Sequence, residues 1–147
     1  MDRDRLYREV GEAIHVAQML ETSLRAFIEV VNRRFDAHID AEQIILAEDR
    51  QTLGRLIEQL KRHVEINLEF TDALAEALEA RNYIAHQFFI RNASAFKDEA
   101  ACASALRLLD ERTNKIVAVA GATSGFTQRF AETFGVKLSD MVARQDI

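Results

Sequence analysis

A short run of side chains in the second half of the chain combines groups that suit phosphodiester chemistry. Arg81, Asn82 and His86 stand in the segment RNYIAHQFF, which covers residues 81–89. An arginine offers a planar fork of N–H donors that fits a phosphate, and a histidine titrates near neutral pH and can move a proton. An asparagine amide can orient either of them. These three residues are therefore candidates for a catalytic site that cleaves a phosphodiester without a metal.

The spacing of arginine and histidine does not by itself identify this site. Three of the four histidines follow an arginine by five or seven residues, in the pairs Arg8 and His15, Arg33 and His38, and Arg81 and His86. We expect the first pair to lie on a solvated helix face. The second straddles a helix C-terminus, where the helix dipole favours basic residues. His63, the fourth histidine, is expected at the edge of the core.

Arg81 is set apart by its position on its helix. At about 3.6 residues per turn it falls between Leu78 and Ala85 in the centre of the apolar arc, with Asn82 and His86 on one face at the margin. A buried arginine is costly unless something pairs with it. We therefore expect a polar crevice or a subunit interface here. The alternatives are a buried ion pair with a carboxylate of a neighbouring helix, and a kink that turns Arg81 outward.

Other kinds of site lack their signatures. The chain has no His-Glu-x-x-His motif, no pair of cysteines, no glycine-rich phosphate loop and no serine nucleophile elbow. We accordingly expect neither a metal nor another cofactor. Cys102 falls on an apolar helical stripe and is expected to be an inert core residue. Five basic residues form either a rim of the site or ordinary solvated helix faces: Arg50, Arg55, Lys61, Arg62 and Arg91.

Apolar residues at three- and four-residue steps predict the helices that must hold these side chains. The first helix runs over about 4–35 and is followed by a loop that ends in a cap at Asp40. A short helix or an irregular stretch covers 41–47, and the next clear helix begins near Thr52. The helix that carries the candidate site begins near Thr71 or the residue after it.

The last long helix is expected to start after an N-cap at Ser94 and to reach at least Ala120. The glycines of the segment 121–125 are expected to bend or break it, and Gly135 suits a C-cap. No element is assigned to the tail beyond that glycine. Several helices with short connections predict an all-α fold, an antiparallel up-and-down bundle of four to five helices in one domain over 1–147.

Composition narrows the class of protein. The 147 residues include no proline and only five glycines, which favours helices. The net charge of −5 argues against a broad electrostatic grip on nucleic acid but leaves room for a local basic site. A single cysteine fits a reducing cytoplasm, and no apolar run predicts a membrane span or a signal segment.

With the helices placed, RNYIAHQFF resembles the R-x(4–6)-H motif of HEPN domains. In that family a polar residue often follows the arginine, as Asn82 follows Arg81, and a small residue such as Ala85 fits before the histidine. The predicted length and helical architecture are similar as well. The resemblance implies a metal-independent endoribonuclease, often a toxin of a toxin–antitoxin or other defence system. It also implies a homodimer in which two motifs face one cleft, and an antitoxin or another regulatory protein as a possible partner.

Carried over residue by residue, the resemblance assigns a role to each side chain. Arg81 would hold the scissile phosphate and stabilise its developing charge. His86 would exchange a proton with the ribose 2′-hydroxyl or with the leaving oxygen. Asn82 would orient one of these two side chains. Because the 2′-hydroxyl is the internal nucleophile, such a site would cut RNA and not DNA.

One position departs from the family pattern. In the branch paired with nucleotidyltransferase antitoxins, a tyrosine commonly stands two residues after the histidine. This chain has Phe88 there, which has no hydroxyl, and this argues against silencing by nucleotidylation of that position. Two other hypotheses remain beside the ribonuclease. One is a non-catalytic HEPN-like module that binds a protein or nucleotide partner, and the other is a helical bundle in which Arg81 forms a structural pair with a carboxylate.

Overall fold

The computed structural model describes residues 3–135, and in this range the fold is all-α, as predicted, with no strand. Its helices are α1 (Arg3–Phe35), α2 (Ala41–Ile45), α3 (Arg50–Lys61), α4 (Leu68–His86), α5 (Phe88–Arg91) and α6 (Glu99–Phe134), and a 3-10 turn covers Ala93–Phe96. Four of these helices are long, namely α1, α3, α4 and α6. The tail, to which the sequence assigned no element, lies outside the described residues.

The two longest helices, α1 and α6, form the main face of the fold. Three ring contacts follow α1 from its start to its end. Tyr7 contacts Phe96 of the 3-10 turn. Further along, Phe27 contacts Phe126 of α6, and Phe35 contacts Phe134 of α6. The two helices therefore run side by side in the same direction. The return of the chain after α1 is made by residues 36–49, which include the short α2.

Helix α4 lies against both of them in the opposite direction. Glu76 lies 4.0 Å from Lys115 of α6, whereas Tyr83, two turns later, packs against the earlier residue Arg112. Helices α4 and α6 therefore run antiparallel. This arrangement carries the C-terminal end of α4, with the candidate residues, between the middle of α1 and the first half of α6.

The helix starts follow local capping chemistry. Asp49, Asn67 and Asp98 each accept a hydrogen bond from the backbone N–H three residues later, which begins α3, α4 and α6. The predicted start of α4 near Thr71 is therefore a turn too late. Ser94 is not the N-cap of the last helix, because it lies in the 3-10 turn and its carbonyl accepts from residues 97 and 98.

Helix α6 passes through its glycines without a break. The expectation that the segment 121–125 interrupts it is wrong, because the helix is continuous as far as Phe134. A glycine inside a helix costs only about 1 kcal/mol relative to alanine, and the buried neighbours Thr123 and Thr127 hold this stretch against the core. Gly135 is the predicted C-cap, with a φ of 69° that favours glycine.

The core lies where α1, α4 and α6 meet. Leu20, Leu74 and Ile116 are fully buried there, one from each helix. Each such side chain contributes roughly 1.5–3 kcal/mol when it leaves water. Cys102 is a free, buried cysteine, as predicted. Among the described helices, none is both long enough and apolar enough to cross a membrane.

Candidate functional site

The candidate residues occupy the last turns of α4. The helix ends at His86, and the backbone N–H of Gln87 closes it by bonding to the carbonyl of Tyr83. A basic residue in the last turn is favoured by the partial negative charge of the exposed carbonyls. The end of α4 therefore presents polar side chains on the same helix whose earlier turns are packed into the core.

Arg81, Asn82 and His86 all border one open groove of about 540 Å³. Its remaining walls come from two other parts of the chain: Leu46 and the residues after it, between α2 and α3, and Arg112 of α6. The three residues predicted from the sequence therefore share one surface depression. Their contacts differ, however, and these contacts decide what each of them can do.

Arg81 is held by a carboxylate from another helix. Its Nε and Nη2 lie 2.7 Å and 2.6 Å from Oε1 of Glu21 on α1, and its Nη1 donates to Oδ1 of Asn82 at 2.6 Å. The side chains of Arg81 and Glu21 are 13% and 18% exposed. Of the two alternatives considered for Arg81, the structure shows the ion pair with a neighbouring helix, in a partly buried position, and α4 does not turn the arginine outward. Two of its five N–H donors remain for another ligand.

The ion pair belongs to a chain of charges that joins three helices. Arg25, one turn after Glu21 on α1, lies 3.8 Å from that carboxylate and donates from Nε to Glu42 of α2 at 2.5 Å. The hydrogen bond with Glu42 raises the pKa of the Arg25 guanidinium. The same bond lowers the pKa of the Glu42 carboxyl, with smaller contributions from the charges of Arg25 and Arg81. This network ties α2, and with it the wall at Leu46, to the helix that carries the site.

His86 is exposed, and its imidazole makes no hydrogen bond or ion pair with any residue of the described range. Its imidazole is therefore available to a ligand or to a second chain. Asn82, in contrast, uses its amide oxygen on Arg81. Of the two orienting roles that the resemblance leaves open for Asn82, the contact matches the orientation of Arg81.

A fourth side chain of the groove, Arg112, was not singled out by the sequence. Its guanidinium carbon lies 3.9 Å from the ring centroid of Tyr83, within the range of a cation–π contact. The ring is held in place because Asn92 donates to the Tyr83 hydroxyl at 2.9 Å and to the carbonyl of Phe88 at 2.8 Å. Arg112 comes from α6, and no spacing in the sequence connects it with the motif on α4.

Glu21 was also missed, although one local signal pointed to it. Glu21 and Arg25 are one turn apart on α1, the spacing at which opposite charges interact along a helix. That signal places a charged pair beside the apolar stripe. The partner of Glu21 on α4 lies 60 residues further along the chain and is visible only in the folded structure.

The other three histidines lie where the sequence predicts them. Arg8 and His15 are exposed on α1, and His38 is exposed after its end. His63 stacks on Phe35 with ring centroids 5.2 Å apart, at the edge of the core. Of the three arginine–histidine pairs with similar spacing, only the pair on α4 borders the groove.

None of the five residues proposed for a basic rim lines the groove. Arg50 donates from its Nε to Glu79, which does line the groove, at 2.8 Å, and this hydrogen bond raises the pKa of the Arg50 guanidinium. Lys61 instead pairs with Glu58 on its own helix. The carboxylate of Glu79 at the groove is therefore paired with Arg50 outside it.

A second, smaller cavity of about 230 Å³ lies away from these residues. Phe27, Phe70 and Phe126 give it an apolar lining, and Arg129 stands at its edge. None of the residues predicted for the site lines this cavity. Within residues 3–135, no group of three or more histidine, cysteine, aspartate or glutamate side chains is placed to hold a metal ion.

Comparisons with known proteins do not assign this site to a family. No protein-family model, no curated protein and no solved structure matches the chain.

Proposed function

We propose that the groove is one half of the catalytic site of a HEPN-like, metal-independent endoribonuclease that works as a homodimer. The observation that carries the proposal is that Arg81, Asn82 and His86 border one groove. Arg81 is oriented there by contacts on two of its sides, and His86 is exposed beside it. Cleavage by a ribose hydroxyl needs both an oriented cation and an accessible proton-transfer group.

In this proposal Arg81 acts on the scissile phosphate. Glu21 and Asn82 occupy three of its N–H donors, and the remaining two on Nη1 and Nη2 can reach a non-bridging phosphate oxygen. That oxygen gains negative charge as the 2′-oxygen attacks, so a guanidinium that is already oriented stabilises the transition state more than the ground state. Glu21 is then a positioning residue, because it acts through Arg81.

The cleavage step is balanced without water or a metal. The ribose 2′-oxygen forms a bond to phosphorus while the bond from phosphorus to the 5′-oxygen breaks, which gives a 2′,3′-cyclic phosphate and a 5′-hydroxyl end. One proton leaves the 2′-hydroxyl and one proton arrives at the 5′-oxygen. His86 can carry out one of these transfers, and the other needs a second group.

A second copy of the chain would supply that group. His86 is the one histidine at the groove of a single chain, and an exposed imidazole can meet its counterpart across a two-fold axis. Phe89 and Ile90, immediately after the site, are 42% and 80% exposed and would be covered by such a partner. In the setting that the resemblance suggests, the dimer would act as a toxin or defence enzyme, controlled by an antitoxin or another regulatory protein.

One observation favours a second candidate, a non-catalytic HEPN-like module that binds a protein or nucleotide partner. Glu21 already neutralises Arg81 inside one chain, so less of its charge is available to a transition state. In this case Arg81 and His86 would contribute to partner binding or to dimer contacts, and RNA would remain intact.

The test is cleavage of single-stranded RNA by the purified protein in EDTA. We expect wild type to release ends with 2′,3′-cyclic phosphate, and His86→Ala to be slower by about 100-fold or more, since general acid–base groups contribute that much. Arg81→Lys keeps a charge for Glu21 but loses the planar fork, and we expect a loss of the same order.

The chain contains its own control. Arg8 and His15 repeat the residue types at a similar spacing on an exposed face, so His15→Ala should cut RNA like wild type. Equal cleavage by wild type and His86→Ala would disprove the assignment. Absence of cleavage by wild type, together with loss of dimerisation in Arg81→Lys by analytical ultracentrifugation, would establish the non-catalytic candidate instead.

A further inference from the structure

The charges around the groove are not distributed evenly. Arg81 is paired with Glu21, and Glu79 is paired with Arg50. Each pair brings a positive and a negative charge close together, so neither attracts a distant anion strongly. Arg112 is different, because it makes no ion pair or hydrogen bond with any residue between 3 and 135.

The position of Arg112 makes this lack of a counter-ion physically costly. Its Nε is buried and has no hydrogen-bond partner, and a buried donor without a partner costs roughly 1–3 kcal/mol. The ring of Tyr83 attracts the guanidinium but cannot accept its N–H groups as an oxyanion does. The two Nη groups of Arg112 are not buried and have no partner among residues 3–135, so an anion in the groove would bind these N–H groups rather than the enclosed Nε.

Tyr83 also restricts how Arg112 can move. The Tyr83 hydroxyl accepts from Asn92, and the ring packs edge-on against Phe88 with centroids 6.4 Å apart. A guanidinium that lies over a fixed ring loses less conformational freedom on binding than a free surface arginine does. Glu48, the nearby acidic residue of the other wall, is exposed, so water and salt screen its charge.

We propose that Arg112 is the main phosphate-binding cation of the groove and that it holds a phosphate of the bound RNA other than the scissile one. The inference rests on the proposed function for the nature of the ligand, and it extends that function to α6. Arg81 and Arg112 then divide the work: the first stabilises charge that develops during cleavage, and the second holds the strand in place. Arg112 is a binding residue of the site in this scheme.

The experiment measures binding of an RNA that cannot be cut. The full chain with His86→Ala is titrated against a fluorescently labelled single-stranded RNA in which every 2′-hydroxyl is methylated. In that background we expect Arg112→Gln to weaken binding by about tenfold or more, as for loss of a charge-assisted hydrogen bond. The slope of log K against log salt should become shallower by about 0.7, which corresponds to one phosphate contact on a single strand.

The matched control is Arg107→Gln, on the same helix. Arg107 is exposed and its Nη2 donates only to Ser104, one turn before it, so binding should change by about twofold or less. Arg112→Lys keeps the charge but loses the fork, and we expect weaker binding with an unchanged salt slope. Arg107→Gln and Arg112→Lys thus distinguish the loss of a phosphate contact from the loss of the folded structure. Thermal unfolding of each variant checks directly that it is folded.

The outcomes separate this inference from the proposed enzyme. If wild type cuts RNA and Arg112→Gln binds the methylated RNA like Arg107→Gln, the inference is wrong and the enzyme stands. If wild type does not cut RNA but Arg112→Gln weakens binding with the expected change of slope, the inference stands and the catalytic proposal is wrong. If the His86→Ala protein with Arg112 intact does not bind the methylated RNA, the inference is overturned.

Discussion

Arg81 and Arg112 border the same groove but are held in opposite ways. Arg81 is 13% exposed and ion-paired with Glu21, and a second contact to Asn82 completes its surroundings. Arg112 lies on an aromatic ring and keeps its charge without a carboxylate partner. An arginine that lines a groove can therefore stabilise the fold or remain available to a ligand, and its contacts distinguish the two cases.

The difference follows from where each helix places its charge. Arg81 lies on the buried arc of α4, between the buried residues Leu78 and Ile84 one turn to either side, so the fold must supply a counter-ion. Glu21 of α1 does so from the margin of the apolar stripe. Arg112 lies at the margin between the buried and exposed faces of α6, where a long side chain can cover an aromatic ring and still reach the groove. We therefore expect stability to depend more on Arg81, and binding of the proposed RNA more on Arg112.

The largest effect on stability is expected when Arg81 loses its counter-ion. Glu21→Gln leaves a mostly buried guanidinium without a carboxylate, and we expect the free energy of unfolding to fall by roughly 3 kcal/mol. Urea unfolding at neutral pH measures this change. Glu29→Gln, which breaks a pair with Arg33 one turn away on the same helix, is the control and should cost only about 0.5 kcal/mol.

The double variant Glu21→Leu with Arg81→Met sharpens this result. It replaces both charges with apolar side chains, and we expect it to recover most of the stability that Glu21→Gln loses, because a buried pair often contributes little beyond an apolar pair. Equal unfolding free energies for Glu21→Gln and Glu29→Gln would show that Arg81 does not depend on its partner. The contrast between the two arginines would then fail.

A smaller effect is expected for the second arginine. Arg112→Met removes a cation–π contact and also removes a buried N–H group that has no partner. These two contributions have opposite signs and similar size, so the free energy of unfolding should change by less than about 1 kcal/mol. Urea unfolding under the same conditions provides the measurement. A loss as large as that of Glu21→Gln would show that Arg112 stabilises the fold as well and would remove the distinction.

The smallest effect is expected at the outer end of the charge network. The pKa of Glu42 is lowered from its ordinary value of 4.5, so its pair with Arg25 stabilises the protein above that pH and loses its effect as the pH falls through the lowered pKa. Glu42 is largely exposed, and we expect Glu42→Gln to cost only a few tenths of a kcal/mol at pH 7. As the pH falls through the lowered pKa, the difference from wild type should shrink. A difference that grows on acidification would contradict the assignment.

Several features of the site could be read from the sequence because they are local. The turn of α4 that carries Arg81, Asn82 and His86 follows from helical periodicity, and so does the buried direction of Arg81. The caps at Asp40 and Gly135 were predicted from residue type alone. The sequence predicted the starts and interruptions of helices less accurately. Several residues near one boundary can act as the N-cap, and packing can keep a helix continuous across glycines.

The two groove residues that the sequence missed both depend on distant contacts. Glu21 and Arg112 reach the groove from α1 and α6, and neither has a local pattern that points toward α4. The three arginine–histidine pairs show the same limit, because their similar spacing places one pair at the groove and the other two away from it.

The amino-acid sequence by itself determined the all-α class, the main helices and the buried direction of Arg81, because helix propensity and a repeat of about 3.6 residues are properties of neighbouring residues. Only the tertiary structure decided that Glu21 would balance the charge of Arg81, whereas no carboxylate among the described residues pairs with Arg112. Electrostatic partners are selected by distances of a few ångströms in space. Those distances arise only when α1, α4 and α6 pack together.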